Sequence, residues 1–414
     1  MSLPPPPRKT RVCLALIAAF AAFPAVALAT GTTLDGSANG GNPYDADLYG
    51  NSGTTATPSD ATAASGNVLN LGDGSTGPSF DGSGGSIGIN IYGGYATGPS
   101  GDANNNTLTV NTGTSFDTYG YHFYGGYVDG TSGNASSNAV TVGAGIVQGT
   151  STRYFDITGG QADGTARDNQ VSVAAGNDNT FELVEGGSSI GGAALGNSVT
   201  IAGGTGFDLV FGGISAGSGD AGGLTTGDGN TVNITGGSAD IMEIYGGYSS
   251  GGGAANGNTV TLDANYTGTV SGGIYGGHSS SGGAANGNRV EITGGSVGGN
   301  IYGGDASGDA TNNTVTLGGN VTLAAATHIF GGISYGTSDY FTGNTLVKTS
   351  DVVIAASGTT ANNFGAQNFE TVKFGYSGDA NIGSLDTTVR GGTAGSLVKL
   401  EVTNAAHAIT FAGV

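Results

Sequence analysis

Residues Glu243 to Leu262 read EIYGGYSSGGGAANGNTVTL, and Gly273 to Ile292 read GIYGGHSSSGGAANGNRVEI. The same phrase returns after thirty residues with its aromatic, glycine, asparagine and valine positions kept. Self-similarity at a fixed period marks a repeat architecture, in which each unit is one supersecondary element that needs its neighbours.

The pair belongs to a longer series. An apolar-Gly-Gly element recurs as INIYGGY (Ile89 to Tyr95), HFYGGY (His122 to Tyr127), FDITGGQ (Phe155 to Gln161), LVEGGS (Leu183 to Ser188), LVFGGI (Leu209 to Ile214), NIYGGD (Asn300 to Asp305) and HIFGGI (His328 to Ile333). Each is followed by a Gly/Ser/Ala/Asn linker and a second element such as NTLTV, NSVTI or NRVEI. The asparagines leading these second elements are Asn106, Asn138, Asn169, Asn197, Asn230, Asn258, Asn288, Asn313 and Asn344, and GNVLNL (Gly66 to Leu71) is a weaker tenth candidate. Valine or isoleucine alternates with Thr, Ser, Asn or Glu, the period of a half-buried strand. A strand this short is unstable alone, but stacked coils merge their apolar sides into one column. The expectation is all-β: a parallel β-helix (β-solenoid) of nine to ten repeats of about thirty residues, with Val260, Val290 and Val315 stacked.

Glycine supplies 85 of 414 residues. Gly-Gly after the aromatic is expected to mark a sharp corner needing positive φ. The leading asparagines tolerate the left-handed conformation and bond locally, so they suit a surface turn; stacked, they could instead form an internal ladder up the rod. The sequence leaves both open. Tyr92, Tyr124, Phe211, Tyr245, Tyr275, Tyr302 and Phe330 occupy equivalent places. Alternation turns Ile244 inward and Tyr245 outward, predicting an exposed aromatic stripe that either steadies the stack or offers a platform to sugars or a partner surface.

Composition sets the other bounds. All nine prolines lie at or before Pro99, so the remainder of the chain suits paired strands better than a disordered linker. Arg8, Lys9 and Arg11 precede the apolar run Val12 to Phe23 and the A-x-A site Ala27-Leu28-Ala29, which together read as an export signal over residues 1–29 rather than a membrane anchor. The single cysteine, Cys13, lies within it. After cleavage, seven basic residues face 30 acidic ones, a formal charge of −23. Such a surface repels nucleic acid and anionic lipid, and no integral membrane segment is expected after signal removal. Residues 30–85, with Pro43, Pro58 and Pro78, read as a leader or irregular first coils, 86–350 as the solenoid, and 351–414 as closing coils or a cap.

Repeats of the form IYGGYS…GxAxxNxVTI behind an export signal resemble the passenger regions of Gram-negative autotransporters, over about residues 86 to 350. The resemblance implies a right-handed parallel β-helix displayed on or released from the cell surface, often for adhesion to a host or cell-surface glycan or protein. It also implies an outer-membrane translocating barrel. Nothing after Gly365 is long enough to be one, so the expectation is a truncated passenger or another exporter.

Chemical motifs are sparse. Gly213-Ile214-Ser215-Ala216-Gly217 and Gly187-Ser188-Ser189-Ile190-Gly191 match G-x-S-x-G but lack the strand-turn-helix setting of a nucleophile elbow. No Gly-Lys pair exists for a phosphate loop, and His122, His278, His328 and His407 are scattered. Asp305 and Asp309 lie close together, but no Asp recurs at a fixed place as tandem calcium repeats require. No catalytic residue, metal or cofactor is therefore assigned. The leading expectation is a non-enzymatic, adhesin-like or structural surface module. The alternative is a polysaccharide-processing β-helix enzyme, disfavoured by the scarcity of basic residues to hold a uronate.

Overall fold

The computed structural model describes residues 63–81 and 88–350, apart from 118, 150, 151, 325 and 337, with shorter pieces at 26–27, 32–34, 43–44, 46–50, 353–354, 365–376, 380–384, 398–403 and 409–413. Of residues 1–29, the segment read as an export signal, only Val26–Ala27 is described, paired with Leu48–Tyr49; the rest of that segment, including Cys13, lies outside the described residues, as does His407.

The described chain is all-β, without helix, and its sheets are built from parallel rungs. The chain is a parallel β-solenoid. The Asn-led strands lie in one thirteen-stranded sheet, and the nine Gly-Gly strands lie in a sixteen-stranded one. Thr259–Leu262 pairs with Thr231–Ile234 on one side and Arg289–Ile292 on the other. Val260, Val290 and Val315 are in direct register and fully buried, as are Leu262, Ile292 and Leu317. Each such side chain contributes roughly 1.5–3 kcal/mol by burial. Thirteen rungs at about 4.8 Å make this face roughly 58 Å long.

Nine Asn-led strands match the repeats read from sequence. Thr32–Leu34 and Val68–Leu71 extend their sheet before residue 107, and Thr371–Phe374 and Lys399–Val402 extend it after residue 348. Coils thus continue into both flanking segments.

Three columns fill the interior. One is the Val/Leu/Ile column of the Asn-led strands. A second comes from Ile91, Phe123, Ile157, Val184, Val210, Ile244, Ile274, Ile301 and Ile329 of the Gly-Gly strands. The third changes chemistry along the rod: Phe181 and Phe207 stack at 5.0 Å, and Ile241, Val270, Val297 and Leu323 continue their line. A separate small-residue core of Ala64, Ala96, Ala103, Ala135 and Ala162 with Val128 lies at another corner. Lys348 breaks the alternation: it sits at a core position between Leu317 and Phe374, fully buried, with Nζ 5.9 Å from the Tyr376 ring centroid.

The Gly-Gly pair is not a positive-φ corner. Gly246 and Gly247 lie inside the strand Asp240–Ser249, and neither has positive φ. Their requirement is space. A Cβ on Gly126 or Gly213 would sit 2.5 Å from the amide of Asn138 or Asn230, and one on Gly303 would sit 2.5 Å from the Gly331 carbonyl oxygen of the next coil. The left-handed residue is instead the one before most leading asparagines, Asn230 excepted: Asn105, Ser137 and Asp168 at φ 55–57°, Gly257 and Gly287 at 66°. Short polar residues or glycine hold that position because a Cβ-branched side chain is strained there.

Candidate functional site

The leading asparagines point inward. Ten of them, from Asn67 to Asn344, are at most 1 % exposed and bond along the rod. The backbone N–H of Asn230 donates to Asn258 Oδ1 at 2.9 Å, and its Nδ2 donates to the same oxygen at 3.1 Å and to the Ala194 carbonyl at 2.9 Å. Asn258 repeats this onto Asn288 and Ala221, and Asn106, Asn138, Asn169 and Asn197 follow the same scheme. Asn288 donates to Asn313 Oδ1, and Asn313 to Asn344 Oδ1. Each central amide uses both its N–H groups and both lone pairs, which is what a buried amide requires. These residues are an internal ladder, and their surface-turn role passes to the residue before.

A second internal column is made of serines. Ser189, Ser215, Ser249 and Ser279 are buried, and their hydroxyls donate to the carbonyls of Gly164, Gly192, Gly219 and Gly253. Ser189 and Ser215 are the serines of the two G-x-S-x-G matches. The signal for this column, a Ser two residues after the second glycine, is present in the quoted phrase but is lost among many serines.

The aromatic positions do stand outside the core, but they do not form an exposed stripe. Tyr49, Tyr92 and Tyr124 form one stack with centroids 5.0 and 5.1 Å apart. Phe211, Tyr245, Tyr275, Tyr302 and Phe330 form a second, at 4.6–5.2 Å. Tyr92, Phe211 and Tyr245 are buried, and Tyr124, Tyr275, Tyr302 and Phe330 half-buried. Parallel rungs place equivalent rings at stacking distance, so each covers its neighbour's face. Burial pushes the Tyr92, Tyr245 and Tyr275 hydroxyls well above the usual phenol range.

Between the stacks two coils carry no ring. Tyr124, Thr158, Glu185 and Phe211 follow one another in register. Thr158 donates its hydroxyl to Glu185 Oε2 at 3.1 Å. Glu185 is 6 % exposed, and desolvation pushes its carboxyl up to about 7, with the nearby Asp156 acting in the same direction.

Beside the ring column lies a second outer column: Tyr95, Tyr127, Gln161, Ser188, Ile214, Tyr248, His278, Asp305 and Ile333. Two histidine–aspartate pairs bridge adjacent coils, His122 Nδ1 to Asp156 Oδ2 and His278 Nδ1 to Asp305 Oδ2, both at 3.1 Å. The Tyr335 hydroxyl also reaches Asp305 Oδ2, at 3.4 Å. Asp309 is not joined to Asp305: its Oδ1 accepts the Asp339 N–H at 3.0 Å. His328 is exposed, and its N–H donates to Asn300 Oδ1. No group of three or more His, Cys, Asp or Glu able to hold a metal occurs among the described residues. No described helix is long and apolar enough to cross a membrane.

No protein-family model matches the chain, and no curated protein or solved structure matches it.

Proposed function

We propose that the chain is an exported, surface-displayed β-solenoid that acts by binding, as the resemblance to autotransporter passengers suggests. The observation that carries this is a division of labour within each repeat. The residues that stay constant, the ladder asparagine, the Gly-Gly pair and the alternating valines, are spent inside on holding coils together. The outer positions change from coil to coil: tyrosine, glutamine, serine, isoleucine, histidine and aspartate succeed one another in a single column. A rigid rod with a varied face is suited to recognition. The acidic charge favours partners other than nucleic acid or anionic membranes. Export rests on the basic, apolar and A-x-A pattern of residues 1–29. Expression in a Gram-negative host, with surface proteolysis and cell-adhesion assays, tests the reading; retention inside the cell, or no adhesion above a vector control, overturns it.

A polysaccharide-processing enzyme is the second reading. It is favoured by Glu185, a carboxyl that burial keeps protonated close to neutrality with Asp156 nearby. Turnover of any polysaccharide that is lost in Glu185→Gln would establish it in place of the first.

A further inference from the structure

The Asn-led sheet has an outward face of its own, and its chemistry differs from that of the ring-bearing face. Alternate residues of each strand are buried in the column of valine, leucine and isoleucine, so the residues between them point outward. Over six coils Thr109, Thr141, Ser172, Thr200, Asn233 and Thr261 follow one another in direct register. The outward column two residues earlier on the same strands, from Thr107 to Thr259, adds three threonines, a serine, an alanine and a glutamine. None of these twelve positions is charged, in a chain with 30 acidic residues. The Gly-Gly face, by contrast, carries Asp156, Glu185, Glu243 and Asp305.

Rung spacing decides what these hydroxyls do. Rungs stand about 4.8 Å apart, whereas a hydroxyl bonds at about 2.8 Å, so one threonine does not reach the next. The longer asparagine amide spans the same step, which is why the internal column is a ladder and this one is not. Among the described residues, the hydroxyls of Thr109, Thr141, Thr200 and Thr261 make no hydrogen bond within the chain. One water fits each gap, with two bonds of about 2.8 Å meeting at roughly the tetrahedral angle. The face thus offers water a two-dimensional lattice: a repeat of about 4.8 Å along the rod, and about 6.6 Å between the columns, twice the residue rise of a strand. Six coils make it about 24 Å long.

We propose that this face binds ice. Both repeats are close to those of the water oxygens on a prism face of ice, so waters seated on the hydroxyls join a growing crystal. The absence of charge favours the same partner, because a charged group holds its own hydration shell and interrupts the lattice. The first charges on this face, Arg289 and Glu291, follow directly on Thr259 and Thr261 and bond to each other at 2.6 Å. Each hydroxyl–water contact is weak. A rigid stack presents many at once without ordering them anew for each contact, and preorganisation of this kind is what lets weak contacts add up. The activity is separate from adhesion and uses a different face of the rod.

The test is incorporation of the purified, fluorescently labelled chain into ice grown slowly from solution, read as the ratio of protein in the ice to protein in the liquid. Thr141→Lys and Thr200→Lys put a charge in the middle of the array at half-buried positions, and circular dichroism checks their folding. Ser280→Lys puts the same charge at an exposed position off this face. Arg289→Thr combined with Glu291→Thr removes the interruption and joins the array to Thr314 and Thr316. The expected result is enrichment of the wild type in ice, lowered roughly tenfold or more by either lysine on the array, unchanged by Ser280→Lys and raised by the double variant. Exclusion of the wild type from ice would overturn the proposal. So would undiminished enrichment of the two array variants, an equal loss in Ser280→Lys, or a double variant no better than the wild type. A dimer by sedimentation velocity that Thr200→Lys dissociates, with the wild type excluded from ice, would assign the face to a second copy of the chain instead. Ice binding in solution does not depend on display, so this proposal and the surface-adhesion reading can fail separately.

Discussion

Gly213 and Asn230 belong to one steric unit, and a double-mutant cycle measures it. Asn230 Oδ1 accepts the N–H and Nδ2 of Asn197, both at 3.0 Å. Asn230→Ala leaves those two donors buried without that acceptor. Each orphaned group costs about 1–3 kcal/mol, so the substitution should destabilise by roughly 2–6 kcal/mol. Gly213→Ala is the complementary insult. Its new Cβ would sit 2.5 Å from Asn230 Cγ and Oδ1 and 2.6 Å from Nδ2. The amide is held on both sides by its ladder bonds and cannot step back, so overpacking of about 1–3 kcal/mol or more follows. With Asn230 already truncated, the same methyl enters vacated space. The cost of Gly213→Ala should then shrink by about 1–3 kcal/mol, a coupling typical of residues in contact. Urea unfolding of the four proteins, followed by far-UV circular dichroism, gives the cycle. Additive single costs would refute the account of the second glycine as a seat for the ladder amide.

Glu185 holds its proton up to about 7, whereas an unperturbed glutamate loses it near 4.5. The folded state thus binds more protons across that window, so stability should fall by about 3 kcal/mol as pH rises from 4.5 to 7; urea midpoints at pH 4.5 and 7.5 should show this fall in the wild type and a flatter profile in Glu185→Gln. Asp168 has φ 55°, so Asp168→Gly should be neutral or mildly stabilising in a thermal melt while Asp168→Val lowers the melting temperature, β-branched residues being genuine outliers at positive φ. Arg167 meets Asp228 at 2.8 Å, but its side chain is 38 % exposed, so Arg167→Ala should cost no more than about 1 kcal/mol by urea unfolding, and less in high salt.

The fold was legible because its signals are periodic. Strict alternation in TVTL and RVEI fixes which side of each strand is buried, and the thirty-residue period fixes what stacks on what; the register of Val260, Val290 and Val315 follows from these two facts alone. The role of each glycine was not legible. Sequence shows that glycine recurs, but a position needing positive φ and a position needing empty space look alike in one letter. Gly257 is the first kind and Gly247 the second, and only the seating of Asn258 tells them apart. The asparagine ladder was ambiguous for a related reason, since both a turn and a ladder use the same amide.

The outer face was hardest to read, for a physical reason that bears on function. Alternation says that Tyr245 and Tyr275 leave the core, but exposure depends on what the coils above and below carry. Where rings are successive they cover one another's faces, so the most conspicuous repeated residues in the sequence are buried or half-buried rather than exposed. Where the ring column is broken, at Thr158 and Glu185, the two side chains bond to each other and are themselves buried, so the break closes the face with polar groups instead of rings. In a solenoid, agreement among coils builds the rod, and what is left to vary is the outer column of Gln161, Ser188, Ile214, Tyr248 and His278, which stays half-buried whichever residue a coil places there.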